Sequence, residues 1–142
     1  MKEKTNILFI CKYNRFRSRI AEIYFNQINK NPNVQAKSAG IIKGSSLDPL
    51  QQQVCKEQGI DISGSPQGLS TALLKWQNMI VLVADDVPPS FFEDNKKYGK
   101  ELLIWKIPDA HANNTKEIQQ IINTIKNNVR INLRRLSHES DY

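Results

Sequence analysis

The strongest constraint on this chain is a set of short apolar runs that do not alternate. Residues 6–10 read NILFI, residues 79–84 MIVLVA and residues 102–107 LLIWKI. A strand with one wet face alternates apolar and polar residues. An unbroken run implies cover on both faces, the habit of parallel sheets. The intervening segments have a helical period. From Arg17 or Ser18 to about Lys30, residues Ile20, Ile23, Tyr24 and Ile28 fall on one side, and NPN at 31–33 stops the helix. VQAKSAG at 34–40 reads as a short strand ending at a glycine turn. Asp48 is placed to cap a helix with Pro49 at its first position and Gly59 just past its end. STALLKWQ near 70–77 and PPSFFEDN at 88–95 read as short helices. Asn114 and Glu117 have the form of a capping box. Ile118, Ile121, Ile122, Ile125, Val129, Leu133 and Leu136 then repeat at three and four, as a long helix packed on the sheet would. The alternation predicts an α/β fold, one domain over residues 1–142, with three αβα layers around a four-stranded parallel sheet.

A length of 142 residues suits one core. No apolar run is long enough for a membrane span. The opening MKEKTNILFIC has too short an apolar stretch, and no small-residue cleavage site, for a signal peptide. The expected location is cytoplasmic. A net charge of +6 favours anionic partners. The basic stretch NVRINLRRL lacks interleaved aromatics and a reader motif, so neither nucleic acid nor membrane is an expected partner. Two cysteines, Cys11 and Cys55, are too few for a disulfide framework and lack zinc-ligand spacing. Cys55 reads as an inert buried thiol.

Cys11 is different. It ends the first strand, and Lys12, Arg15, Arg17 and Arg19 follow it closely. In parallel sheets ligands bind at the carboxyl ends of strands, where a loop turns into a helix. A loop over residues 11–18 would aim successive backbone N–H groups inward as an anion nest, reinforced by the helix dipole. Arg17 can fold its planar fork over that cavity, and Ser18 offers the sulfur a hydroxyl. Such a setting favours the thiolate, the nucleophilic form. The sulfur then sits at the floor of a cup for a tetrahedral dianion, placed to attack phosphorus in line. Asp109, just past the end of another strand, can reach the same rim.

The run Cys11-Lys12-Tyr13-Asn14-Arg15-Phe16-Arg17-Ser18 resembles the signature of the low-molecular-weight protein tyrosine phosphatases: a cysteine, five residues, arginine and serine. SAG at 38–40, Gly44, DP at 48–49, GIDIS at 59–63 and IPDA at 107–110 are similar to that family in order and spacing. The resemblance implies a flavodoxin-like fold with the phosphate-binding loop, residues 12–18, after the first strand. It implies a phosphomonoester hydrolase in which Cys11 forms a phosphocysteine. Asp109 serves as acid, then as base, and Arg17 clamps phosphate. Asn14 and Ser18 brace the loop, with Ser38 in the network around it. The implied partner is a phosphorylated protein or a small phosphomonoester. Neither metal nor organic cofactor is needed, and the implied state is a monomer or weak homodimer.

Several positions depart from that pattern. Tyr13 stands where the family has glycine, so strain or an altered loop is expected there. Phe16 replaces a second cysteine. Cys55 is a poor substitute for it, so a protective disulfide is not expected. GSPQG at 64–68 lacks the family's histidine, so the loop network must be completed another way. Pro108 precedes the aspartate and no aromatic follows it. Asp85 and Asp86 are rivals at the rim, read as bracing or surface groups, and His111 reads as exposed. Arg15 is an extra guanidinium at the mouth, suited to substrates with a second anionic group. Two other readings stay open. One is a non-catalytic oxyanion or phosphopeptide binder. The other is an arsenate reductase, whose relay cysteines near residues 80–90 are missing here.

Overall fold

The computed structural model describes residues 4–98, 100–110 and 114–140. His111 lies outside the described residues. Four parallel strands form one sheet in the order β2-β1-β3-β4: β1 (Thr5–Cys11), β2 (Val34–Gly40), β3 (Met79–Val83) and β4 (Glu101–Trp105). Between them run α1 (Arg17–Ile28), α2 (Pro49–Glu57), α3 (Thr71–Trp76) and α4 (Asp94–Lys97), and α5 (Thr115–Ser140) follows β4.

The unbroken apolar runs are explained by cover on both faces. Ile7 and Phe9 of β1 point into a core shared with α1, α2 and α5. Leu8 and Ile10 point the other way, against Leu73 and Leu74 of α3 and Phe92. All four strand residues are fully buried. The α/β architecture therefore has the expected three layers. β4 is one of the two edge strands, and Ile104 of its apolar run stays exposed.

The helix ends follow their sequence signals with one exception. Asn114 Oδ1 accepts the Glu117 N–H at 3.0 Å, capping α5. The α5 stripe is buried at Ile118, Ile121, Ile122, Ile125, Val129 and Leu136. Gly59, with φ +81°, closes α2. Its own N–H bonds Lys56 O and that of Ile60 bonds Cys55 O, the paired closure that a left-handed residue permits. Asp48 occupies the first cap position of α2, but its carboxylate caps nothing and pairs with Arg15 at 3.4 Å instead. The segment at 88–95 is not one helix. A 3₁₀ turn at Pro89–Phe92 passes into α4.

Candidate active site

The topology puts Cys11 at the carboxyl end of a central strand, and the following loop enters α1 directly. That helix begins with no side-chain cap and no acidic residue in its first turn. No side chain of the helix's own start therefore competes for an anion at its positive end. The loop is fixed by the segment that follows β2. Ile41 N–H bonds Cys11 O at 3.1 Å, Ile42 N–H bonds Lys12 O at 3.0 Å and Gly44 N–H bonds Tyr13 O at 3.0 Å. Close approach explains Gly40, where a Cβ would fall 2.6 Å from the Tyr13 carbonyl carbon.

Tyr13 carries no positive φ. Among the described residues, Asn14 is the one non-glycine in the left-handed region, at φ +56°. The strain expected at Tyr13 sits one residue later. Asparagine is among the side chains that tolerate it best.

Asn14 also organises the site. Its Oδ1 accepts the Gln67 N–H at 2.9 Å, which fixes the amide's orientation. Its Nδ2 then donates to Ser18 Oγ at 2.8 Å and to Ser38 Oγ at 2.9 Å. The Ser38 hydroxyl in turn donates to Glu22 Oε1 at 2.6 Å. Since Asn14 Nδ2 can only donate, the Ser18 hydroxyl proton is free for Cys11 Sγ, 3.0 Å away. The Asn14 N–H reaches the same sulfur at 3.3 Å. Two donors therefore converge on Sγ. Gln67 completes the network that the missing histidine left open, and its Nε2 also donates to Ser38 O at 2.6 Å. Sequence reading did not identify Gln67 or Glu22. Gln67 lies 53 residues from Asn14, and nothing local marks it.

Arg17 is only 2% exposed. Its guanidinium donates to Ile107 O at 2.8 Å and to Asp86 Oδ1 at 2.9 Å. Asp85 lies at 3.8 Å and Asp109 at 4.0 Å. Asp86 thus braces Arg17, and Asp109, half exposed, is the carboxylate that also borders the cavity over Cys11. That cavity holds about 230 Å³. Tyr13, Arg15, Phe16 and Arg17 line it, whereas Asn14 and Ser18 are buried beside the sulfur. The Lys12 ammonium lies over the Tyr13 ring, 5.2 Å from its centroid.

Cys55, on the inner face of α2, is fully buried in the core. Burial pushes its thiol up to about 12, with Lys126 pulling the other way. Iodoacetamide at neutral pH should therefore label Cys11 and spare Cys55 in the folded chain. Peptide mass mapping checks this. The same shift has a stability consequence. A thiol raised above its unfolded value of 9.0 stabilises the fold fully below pH 9, and that contribution drains away as pH rises toward 12.

Among the described residues, no three or more His, Cys, Asp or Glu side chains are grouped to hold a metal. No curated protein matches the chain. Solved structures with the same fold include an arginine phosphatase from Geobacillus stearothermophilus. It has 21% identity and a TM-score of 0.79, with 95% of this chain and 94% of that one covered. A low molecular weight protein tyrosine phosphatase from T. tengcongensis shows 21% identity and a TM-score of 0.78, covering 93% and 99%. A thioredoxin-dependent arsenate reductase from Corynebacterium glutamicum shows 25% identity and a TM-score of 0.74, covering 97% of this chain and 64% of that one. The model of the low molecular weight phosphotyrosine protein phosphatases matches residues 6–141. With that match running from the first strand through the last helix, the chain belongs to the low molecular weight phosphotyrosine protein phosphatase family.

Proposed function

We propose that the chain hydrolyses phosphomonoesters, phosphotyrosine among them, through a phosphocysteine on Cys11. One observation carries this reading. The Ser18 hydroxyl and the Asn14 N–H both point at Cys11 Sγ, at the floor of a cavity that Arg17 and Asp109 border. In the first step Sγ bonds to phosphorus as the ester P–O bond breaks. Arg17 and the loop amides hold the equatorial oxygens, and Asp109 protonates the departing oxygen. In the second step water attacks phosphorus, Asp109 takes its proton, and Sγ leaves as thiolate. Lys12 and Arg15 add positive charge at the mouth. The reading includes one domain over residues 1–142, a cytoplasmic location and a monomeric or weakly dimeric state. Rapid mixing with para-nitrophenyl phosphate, followed by quenching and phosphorus NMR, should capture a phosphothioester on Cys11, and vanadate should abolish turnover. Tight vanadate binding without turnover would favour the binder reading instead.

A phosphoryl group on arginine is a second reading. The cavity wall carries two carboxylates, Asp109 and the Arg15-paired Asp48, whose negative charge suits a cationic leaving group. A similar fold belongs to a protein named an arginine phosphatase. Comparing phosphoarginine with phosphotyrosine as substrates decides between them.

A further inference from the structure

We propose that a second oxyanion subsite lies beside the cup, built on the guanidinium groups of Arg19 and Arg15. A separate hollow of about 200 Å³ opens between the start of α1 and the loop at 62–66. Arg15 and Leu47 wall both this hollow and the Cys11 cavity, so the two are neighbours. Ser46, Gln52 and Ser63 supply the rest of its polar lining.

The charge on Arg19 is the reason to expect a ligand. Arg19 is 9% exposed, and the described bond it donates runs from Nη2 to the Ser63 carbonyl. Among the described residues, no carboxylate comes within 4.0 Å of its guanidinium. One carbonyl uses little of a guanidinium's five-donor capacity, and none of the remaining Arg19 nitrogens is sealed from solvent, so they are accessible to a ligand. Arg15 is in a related position. Its Nη2 reaches Ser46 O at 3.0 Å and Asp48 at 3.4 Å, yet its Nε is buried with no hydrogen-bond partner. Two forks therefore border one polar hollow with unspent donors. Gly64, at φ +85°, turns the loop there, and a Cβ on it would come 3.8 Å from Arg19 Nη2.

Three carboxylates stand nearby, and among the described residues none lies within 4.0 Å of the Arg19 guanidinium. Asp48 is engaged with Arg15. Glu22 and Asp61 border a different hollow that Arg19 also touches, and Glu22 accepts the Ser38 hydroxyl. The volume is below that of sites for larger ligands. Paired guanidinium forks with serines match a tetrahedral oxyanion such as phosphate or sulfate. Its source is either a free inorganic anion or a second phosphoryl group on a substrate whose first sits over Cys11. The subsite stands on its own geometry and does not depend on turnover at Cys11.

The test is calorimetric titration of the full chain with sulfate after iodoacetamide has capped Cys11. One saturable sulfate per chain is expected, bound at least about tenfold more weakly by Arg19→Gln and less impaired in Arg19→Lys. If Arg19→Gln does not fold, the capped wild type decides, because the Arg19 side-chain N–H resonance must shift with sulfate. Absence of saturable binding, or binding unchanged in Arg19→Gln, overturns the proposal. The source is read from kcat/KM on a phosphotyrosine peptide with and without a neighbouring phosphoserine. An advantage that Arg19→Gln removes assigns the second phosphoryl group. Sulfate binding without such an advantage assigns a free anion.

Discussion

Cys11→Ser is expected to cut turnover of para-nitrophenyl phosphate by about 10⁴-fold or more, while vanadate or phosphate still binds. Two donors, Ser18 Oγ at 3.0 Å and the Asn14 N–H at 3.3 Å, aim at the sulfur and fix its place at the floor of the cup. A serine hydroxyl ionises far less readily than a thiol and needs a base to take its proton. None is at hand, since among the described residues the hydrogen bonds to Sγ come only from these two donors. The cup itself stays in place, because its backbone is held by Gly40–Gly44 and its arginine by Asp86 and Ile107 O. The two measurements therefore separate the roles: steady-state rate for the nucleophile, calorimetric anion binding for the cup. A serine variant keeping a tenth of the rate would remove Cys11 from the chemistry.

The same substitution bears on the redox alternative. An arsenate reductase needs cysteines that relay a disulfide outward from the nucleophile. The chain has one other cysteine, Cys55, and it is locked in the core with its thiol pushed up to about 12. A thiol held neutral and out of solvent is a poor relay, whatever the shared fold. Arsenate-dependent consumption of reductant is accordingly not expected.

Local and periodic features were readable in the sequence. NILFI and MIVLVA revealed buried parallel strands because a two-sided environment removes alternation, and the α5 stripe did the same for one helix face. The step from Cys11 to Arg17 was readable because both belong to one continuous loop and helix start. What the sequence hid depends on distant partners. Asp48 has the residue type and place of a helix cap, yet Arg15, 33 residues away, takes its carboxylate. Tyr13 looked like the strained position because glycine was missed there. The left-handed residue is Asn14 instead, and Gly44 leaves room for the tyrosine: a Cβ there would lie 2.8 Å from Tyr13 Cβ. Gln67 replaces a histidine by offering a backbone N–H to Asn14, a contact that no pattern of side-chain types records.

Asp109→Asn is expected to slow hydrolysis of phenyl phosphate by about 10²–10⁴-fold, the usual contribution of a positioned acid. Its effect on para-nitrophenyl phosphate should be much smaller. Phenol, like tyrosine, has a pKa of about 10 and leaves poorly as an anion, whereas nitrophenolate needs little help from a proton. This leaving-group dependence distinguishes Asp109 from its rivals. Asp86 is held at 2.9 Å by Arg17, so its carboxylate serves the guanidinium. Asp86→Asn should weaken phosphate binding and slow both substrates alike, because a looser Arg17 costs every transition state the same contact. Asp85, at 3.8 Å from Arg17, belongs with Asp86. Asp109 alone of the three borders the Cys11 cavity, and at 4.0 Å it is near Arg17 without being hydrogen-bonded to it. A carboxyl that must carry a proton in one step and accept one in the next cannot be pinned as a permanent counter-ion. Equal losses on both aryl phosphates in Asp109→Asn would reduce it to a bracing group and return the acid's role to the Asp85–Asp86 pair.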